Sequence, residues 1–267
     1  MNVMTPRLRA ALTTIMLTLL AGCTTLAPAP SLPEPEPAPQ AAQAAWARVL
    51  SSHVDVRGEV DFEALAHDPT DLDRYVRHVA QTPLSSLPEG PERLAHMINA
   101  YNALSMFNVL QSGVPATHAG WAKLRFFVLH KFEIGGHTRS LYSFENEVIR
   151  PTTRARNDPR VHFALNCSAV SCPVLPRVPF SADALDAELE RETRAFFARP
   201  ENFRIDVEQR TVWLSELLDF YPEDFVPSPS VSLLAYANRY APQPAPLDFS
   251  VRFTPYDWTI ANSRRSR

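Results

Sequence analysis

Val161-His162-Phe163-Ala164-Leu165-Asn166-Cys167-Ser168-Ala169-Val170-Ser171-Cys172-Pro173 is the stretch around which the chain is read. Residues 161 to 165 are apolar apart from His162, include a β-branched and an aromatic residue, and lie between Asn157-Asp158-Pro159 and a run rich in Ser, Cys and Pro. That pattern predicts a short buried strand running into a loop. The loop carries two thiols beside His162 and Asn166. Reactive side chains on a loop held by a rigid element mark where chemistry is expected. The competing reading is a structural Cys167–Cys172 disulfide.

Outward from this stretch, 267 residues with 45% hydrophobic content suit one domain of about 200 residues plus appendages. The net charge is -3 and becomes -5 without Arg7 and Arg9, which argues against a phosphate-tracking nucleic-acid binder. Glycine is scarce, with seven in all and none after Gly136, so a dinucleotide fingerprint has no material. Residues 1–22 read as a signal peptide: Arg7 and Arg9 form a positive region, Ala10 to Leu20 an apolar one, and Leu20-Ala21-Gly22-Cys23 a cleavage site. That ending resembles the lipobox of bacterial lipoproteins, which implies acyl chains on Cys23 and an anchor in the cell envelope. Thr24 rather than Asp follows, so the expected membrane is the outer one, with the protein facing the periplasm. Residues 23–44, with six prolines between Pro28 and Pro39, read as a lipidated cysteine and a semi-extended tether. Residues 45–267 read as a single domain.

Within that domain, Trp46, Val49 and Leu50 open a helical pattern, and Gly58 suggests a tight turn between Val54 and Phe62. Asp71 to Ala80 places Leu72, Tyr75, Val76 and Val79 on one helical face. Pro91 to Ser112 is the longest helical pattern, with Pro91 suited to a first turn and Gly113 to the end. Asn99 and Asn102 lie beside its apolar stripe and require partners if buried. Phe126 to Ile134, Gly135-Gly136 and His137 to Leu141 predict a hairpin. Ser143 suits the cap of a short helix carrying Glu145, and a helix is expected from Phe180-Ser181 to Arg199. A second hairpin is expected over Phe203 to Leu214, and a closing strand from Val251 to Trp258. The resulting class is α+β, with helices packed around a small, largely antiparallel sheet.

Ile98-Asn99-Ala100-Tyr101-Asn102-Ala103-Leu104, Phe144-Glu145 before Ile149-Arg150, the His162-to-Pro173 stretch and Tyr256-Asp257-Trp258 together resemble the DUF547 family over roughly residues 47 to 262. The family is one of unknown function, so the resemblance implies a fold and a motif set without a reaction. Family members often have Glu-His where this chain has Glu145-Asn146, and Cys-Gly where it has Cys167-Ser168. The second exchange bears on the backbone, because glycine takes positive φ readily and serine does not.

The residue types suit a thiol hydrolase or acyltransferase of papain-like or transglutaminase-like logic, acting on an amide or ester, in which a cysteine attacks a carbonyl and a histidine takes its proton. In a continuous strand His162 shares a face with Ala164 and Asn166 while Cys167 points away. Cys172 is therefore the favoured nucleophile, helped by a helix expected to start at Pro173. His162 is then the base and Glu145 or Asn99 its orienting partner, with Cys167 and Asn102 alongside. No cofactor is called for. A zinc site of His130, His162, Cys167 and Cys172 has cysteine spacing at the edge of zinc usage. The alternative function is a non-catalytic periplasmic module, stapled by Cys167–Cys172, that binds an envelope peptide, small molecule or protein.

Overall fold

The computed structural model describes residues 24–28, 38–154 and 157–264. The predicted signal peptide, Cys23 and residues 29–37 of the predicted tether lie outside the described residues. The remainder of that tether is part of the folded body at both ends. Helix α1 (Pro39–His53) begins inside it and buries Ala42, while Thr24–Thr25 forms a short strand, β1.

Helix α1, α2 (Phe62–His67) and α3 (Thr70–Gln81) precede the central helix α4 (Pro91–Gln111). Pro91 occupies the first turn of α4, as its fixed φ and missing N–H suit. Gly113, at φ +73°, ends it, and the Gly113 and Val114 N–H groups return to the Leu110 and Val109 carbonyls. Every residue from Leu94 to Val109 is buried. A helix enclosed on all sides has no solvated face for its polar side chains. Each must find a partner in the protein.

The strands form two three-stranded sheets. In the first, β2 (His130–Ile134) pairs antiparallel with β3 (His137–Ser140) and parallel with β1. In the second, β4 (Phe203–Asp206) pairs antiparallel with β5 (Thr211–Ser215), and β6 (Ser250–Thr254) adds to β5 in parallel. The α+β class holds, but the expected small sheet is two sheets with one parallel pair each. Both hairpins were expected, since they are local. The parallel partners come from distant chain, as parallel pairing requires a long connection.

The Gly135-Gly136 turn has φ of +58° and +80°, the geometry that lets a two-residue loop follow strand twist. Its N–H groups bond the Val79 and Ala80 carbonyls at the end of α3, both at 2.9 Å, so the turn also caps a helix. Four short helical segments, α5 (Trp121–Leu124), α6 (Leu141–Phe144), α7 (Arg150–Arg154) and α8 (Leu185–Phe197), follow in order. The first two run into π-helical turns, Arg125–Leu129 and Glu145–Ile149. Ser140 rather than Ser143 is the cap of α6, accepting from the Ser143 N–H at 3.1 Å. The last segments are α9 (Leu217–Phe220), α10 (Pro222–Phe225) and α11 (Leu233–Ala237).

A methyl group on residue 135 would lie 2.8 Å from the Thr82 carbonyl oxygen, whereas one on residue 136 meets nothing within 4 Å. Both positions carry the left-handed penalty of about 1–2 kcal/mol. Gly135→Ala is therefore expected to lower stability in urea by clearly more than Gly136→Ala. Equal losses would show that the turn does not rest on α3.

Candidate functional site

The predicted strand at residues 161–165 is instead a 3₁₀ turn, Pro159–Phe163. Asp158 caps it by accepting from the Arg160 N–H, Pro159 fills the first position, and the Val161 carbonyl receives the Ala164 and Leu165 N–H groups. An aspartate followed by a proline is a helix-start signature, and it outweighs a five-residue apolar run that has no period of its own. The face argument built on strand alternation falls with it. No helix begins at Pro173 either, since residues 173 to 176 are irregular.

The Cys loop is nonetheless tightly held. Asn102 of α4 donates to the Ala164 carbonyl at 3.0 Å and accepts from the Asn166 N–H at 2.8 Å. Asn166 donates to the Pro173 carbonyl and accepts from the Ser168 N–H, both at 2.7 Å. Ser168 sits at φ +62°, so the conformation that favours glycine is retained here with serine, whose hydroxyl lies 3.3 Å from that of Ser105. His118 donates Nε2–H to the Cys167 carbonyl at 3.0 Å, a carbonyl being able only to accept. The chain from Asp257 to Ser263 laces the same loop through bonds such as Val170 N–H to the Thr259 carbonyl and Ala261 N–H to the Ser168 carbonyl.

Within this frame Cys167 and Cys172 are paired as a disulfide with Cα atoms 6.3 Å apart. The Cys172 sulfur accepts from the Cys167 N–H at 3.0 Å and from the Tyr256 hydroxyl at 3.1 Å. Both sulfurs border a cavity of about 50 Å³ that is also lined by Tyr101, Glu145, His162, Tyr221 and Tyr256. Cys172 borders a second, open cavity of about 510 Å³ together with Gly58, Asn166, Pro173 and Arg199.

His162 lies flat against Tyr221, ring centres 4.5 Å apart, and its Nε2 is 2.8 Å from an Asp224 oxygen. Asp224 also accepts from Arg150 at 2.7 Å and from Arg154. Burial alone would raise the Asp224 carboxyl, but the bonds from His162, Arg150 and Arg154 outweigh it and hold the carboxyl well below the usual range. Arg150 stacks over Tyr221 at 4.4 Å and is braced by the Asn146 side-chain oxygen at 2.5 Å. Glu145 accepts from the Tyr101 hydroxyl at 3.1 Å. Burial first, and Glu145 next, push the Tyr101, Tyr221 and Tyr256 phenols far above their ordinary range, so all three stay protonated donors.

Cys167, Cys172, His162 and Glu145 thus line one cavity, and the carboxylate bonded to His162 is that of Asp224 rather than Glu145. Asn99 is elsewhere: it accepts from the Trp46 indole at 3.2 Å and the Phe180 N–H at 3.0 Å, and donates to the Phe180 carbonyl at 2.8 Å. Asn102 holds loop backbone rather than His162. Asp224 takes the orienting role and was missed, along with Tyr101, Tyr221 and Tyr256. Asp224 stands 62 positions beyond His162, and only the Pro222-Glu223-Asp224 helix start hinted at it. The four-ligand zinc grouping is not assembled. His130 donates Nδ1–H to Asn108 at 2.6 Å and accepts from Arg125 at 2.9 Å, leaving no free nitrogen. Among the described residues no three His, Cys, Asp or Glu side chains are grouped so as to hold a metal ion.

Fold and site together define an α+β domain built on a buried helix, with a cysteine pair set in a tyrosine- and histidine-lined cleft. Residues 84–197 match the family model described as "Protein of unknown function, DUF547". The matched segment includes α4, Glu145, His162 and both cysteines, whereas Asp224 and Tyr256 lie beyond it. No curated protein and no solved structure matches the chain.

His118 is neutral as well as load-sharing. Burial lowers it to about 4, against a smaller opposing effect of the Cys167 carbonyl, and burial with the neighbouring His78 lowers His96 to about 4. Between about pH 4 and the ordinary histidine value of about 6.5 the unfolded chain binds these protons and the folded one does not. Stability is therefore expected to be full above about pH 6.5 and to fall as pH drops toward 4. His118→Gln, which can still donate to the Cys167 carbonyl, should flatten that slope by up to about 1.4 kcal/mol per pH unit in urea titrations. An unchanged slope would show that His118 titrates as it does in the unfolded chain.

Proposed function

We propose that the protein is an envelope lipoprotein, anchored through acyl chains on Cys23 in the outer membrane and facing the periplasm, whose DUF547 domain is a thiol-dependent hydrolase or acyltransferase acting on an amide or ester. The observation that carries this reading is that His162, held at Nε2 by Asp224, borders the same cavity as both sulfurs. A histidine oriented by a carboxylate beside a thiol is the arrangement nucleophilic catalysis needs.

The paired cysteines contain no nucleophile, so activity requires a dithiol reductant, which gives two electrons and two protons to the Cys167–Cys172 bond and becomes a disulfide itself. Cys172 is the better nucleophile of the two. The Tyr256 hydroxyl and the Cys167 N–H already point at its sulfur and would stabilise a thiolate, and it alone of the two borders the larger cavity. Nε2 being taken, Nδ1 of His162 receives the thiol proton. The Cys172 sulfur bonds to the carbonyl carbon, the leaving amine or alcohol departs with that proton, and water or a second nucleophile then releases the acyl group from the thioester.

The second reading is the non-catalytic module that binds an envelope peptide, small molecule or protein, with the disulfide as a staple. The pairing itself favours it. The two separate on thiol chemistry. After treatment with a mild dithiol, iodoacetamide at about pH 6.5 is expected to label Cys172 faster than Cys167, because a stabilised thiolate forms below the ordinary value of about 8.5. His162→Ala should erase the difference. A disulfide that persists under the same reductant in folded protein would contradict the enzyme and leave the stapled module.

A further inference from the structure

The turn between α4 and β2 carries an apolar ridge that faces solvent. Trp121, Leu124 and Val128 are 71%, 39% and 37% exposed, while Phe126 of the same helical run is buried and packs tilted against His118. Tyr142, 54% exposed, stands on α6, which packs against the Arg125–Leu129 turn. The flanks are basic. Lys123 and Lys131 are the only lysines in the chain, Arg125 lies between them, and no acidic residue occurs from Arg93 to Phe132, although the protein as a whole has a net charge of -3. Lys123 is partly engaged, with its ammonium 3.8 Å from the Trp258 ring centre. Arg125 is exposed and Lys131 half-buried.

The strand pairing places this ridge beside the start of the folded chain. Thr24 pairs with His130 and Thr25 with Lys131, and the Leu26 N–H bonds the Lys131 carbonyl at 2.8 Å. The residue that follows the expected acylation site is thus fastened to the first residue after the helical turn that carries the ridge. A long tether would hold the domain away from a bilayer. This pairing instead removes the slack at the anchor.

We infer that the Trp121–Val128 ridge is a membrane-contact surface, seated in the headgroup region of an anionic phospholipid leaflet. Trp at an interface, aliphatic side chains on one helical face and cations at the rim are the chemistry such a surface recognises. The inference deepens the lipid-anchor part of the proposal and is independent of the thiol chemistry.

The test uses the native protein in vesicles of phosphatidylglycerol and phosphatidylethanolamine whose acyl chains are brominated near the headgroup. Tryptophan emission is expected to be blue-shifted and quenched relative to the same vesicles without bromine, and Trp121→Phe should reduce that quenching clearly, because Trp46 is buried and Trp258, half-buried under the Lys123 ammonium, is less open than Trp121. Vesicles of phosphatidylcholine alone should quench Trp121 less. Quenching that is identical in native protein and Trp121→Phe would overturn the inference, as would Trp121 shielded from aqueous quencher but not reached by bromine, the result expected if a second copy covered the ridge. The mass of Cys23 in the same preparation decides the anchor separately. Unacylated protein quenched at Trp121 would still support the ridge, and acylated protein not quenched there would leave the anchor and remove the ridge.

Discussion

Three carboxamides on one buried helix hold the irregular parts of this protein in place. Asn99, Asn102 and Asn108 of α4 each bond backbone outside the helix: the Phe180 peptide, the Ala164 and Asn166 peptides, and the Phe126 carbonyl. A buried amide without partners costs about 1–3 kcal/mol. The helix and the loops therefore depend on one another. The loops gain fixed backbone, and the helix can be enclosed on all sides without orphaned polar groups. The cysteine loop, the turn before β2 and the segment before α8 are all positioned from this single element.

The site follows from that dependence. Asn102 fixes where residues 164–166 leave the 3₁₀ turn, between His162 and the cysteines, all of which line one cavity of about 50 Å³. A carbonyl reaching Cys172 has the larger cavity of about 510 Å³ available on which that residue also opens. Around the sulfurs, protonated tyrosines supply donors, and Asp224, held by two arginines, fixes the histidine ring. Four titratable residue types are thus gathered where a plain structural disulfide would need none of them.

Much of this was legible in the sequence, for physical reasons that can be named. The apolar stripe of α4, its proline start and its glycine end are local signals, and so are the glycine pair of the first hairpin and the alternation of the second. The cluster of His162, Cys167 and Cys172 was visible because its members are neighbours in the chain, and Glu145 came with the family resemblance. What stayed hidden depends on distant chain. The parallel additions of β1 and β6, the Asp224 partner of His162, and the approach of Tyr256 to Cys172 leave no periodic trace. The 3₁₀ turn at Pro159 is a different failure. Its cap was in plain view as Asp158-Pro159, but the apolar run behind it was given more weight than the cap. Within the expected tether, the pairing of Thr24 and Thr25 with His130 and Lys131 and the helix begun by Pro39 stayed hidden because neither stands out in a proline-rich composition.

The central claim is that a carboxylate-held histidine serves a thiol at Cys172 once the disulfide is opened. The most direct measurement is a mass-spectrometric search for the covalent intermediate after reduced, folded protein is mixed with p-nitrophenyl acetate and quenched in acid. The account predicts an acetyl thioester on Cys172, formed as p-nitrophenolate is released, and much less of it in His162→Ala and Asp224→Asn. Acetylation of neither cysteine, or equal acetylation in all three proteins, would contradict it.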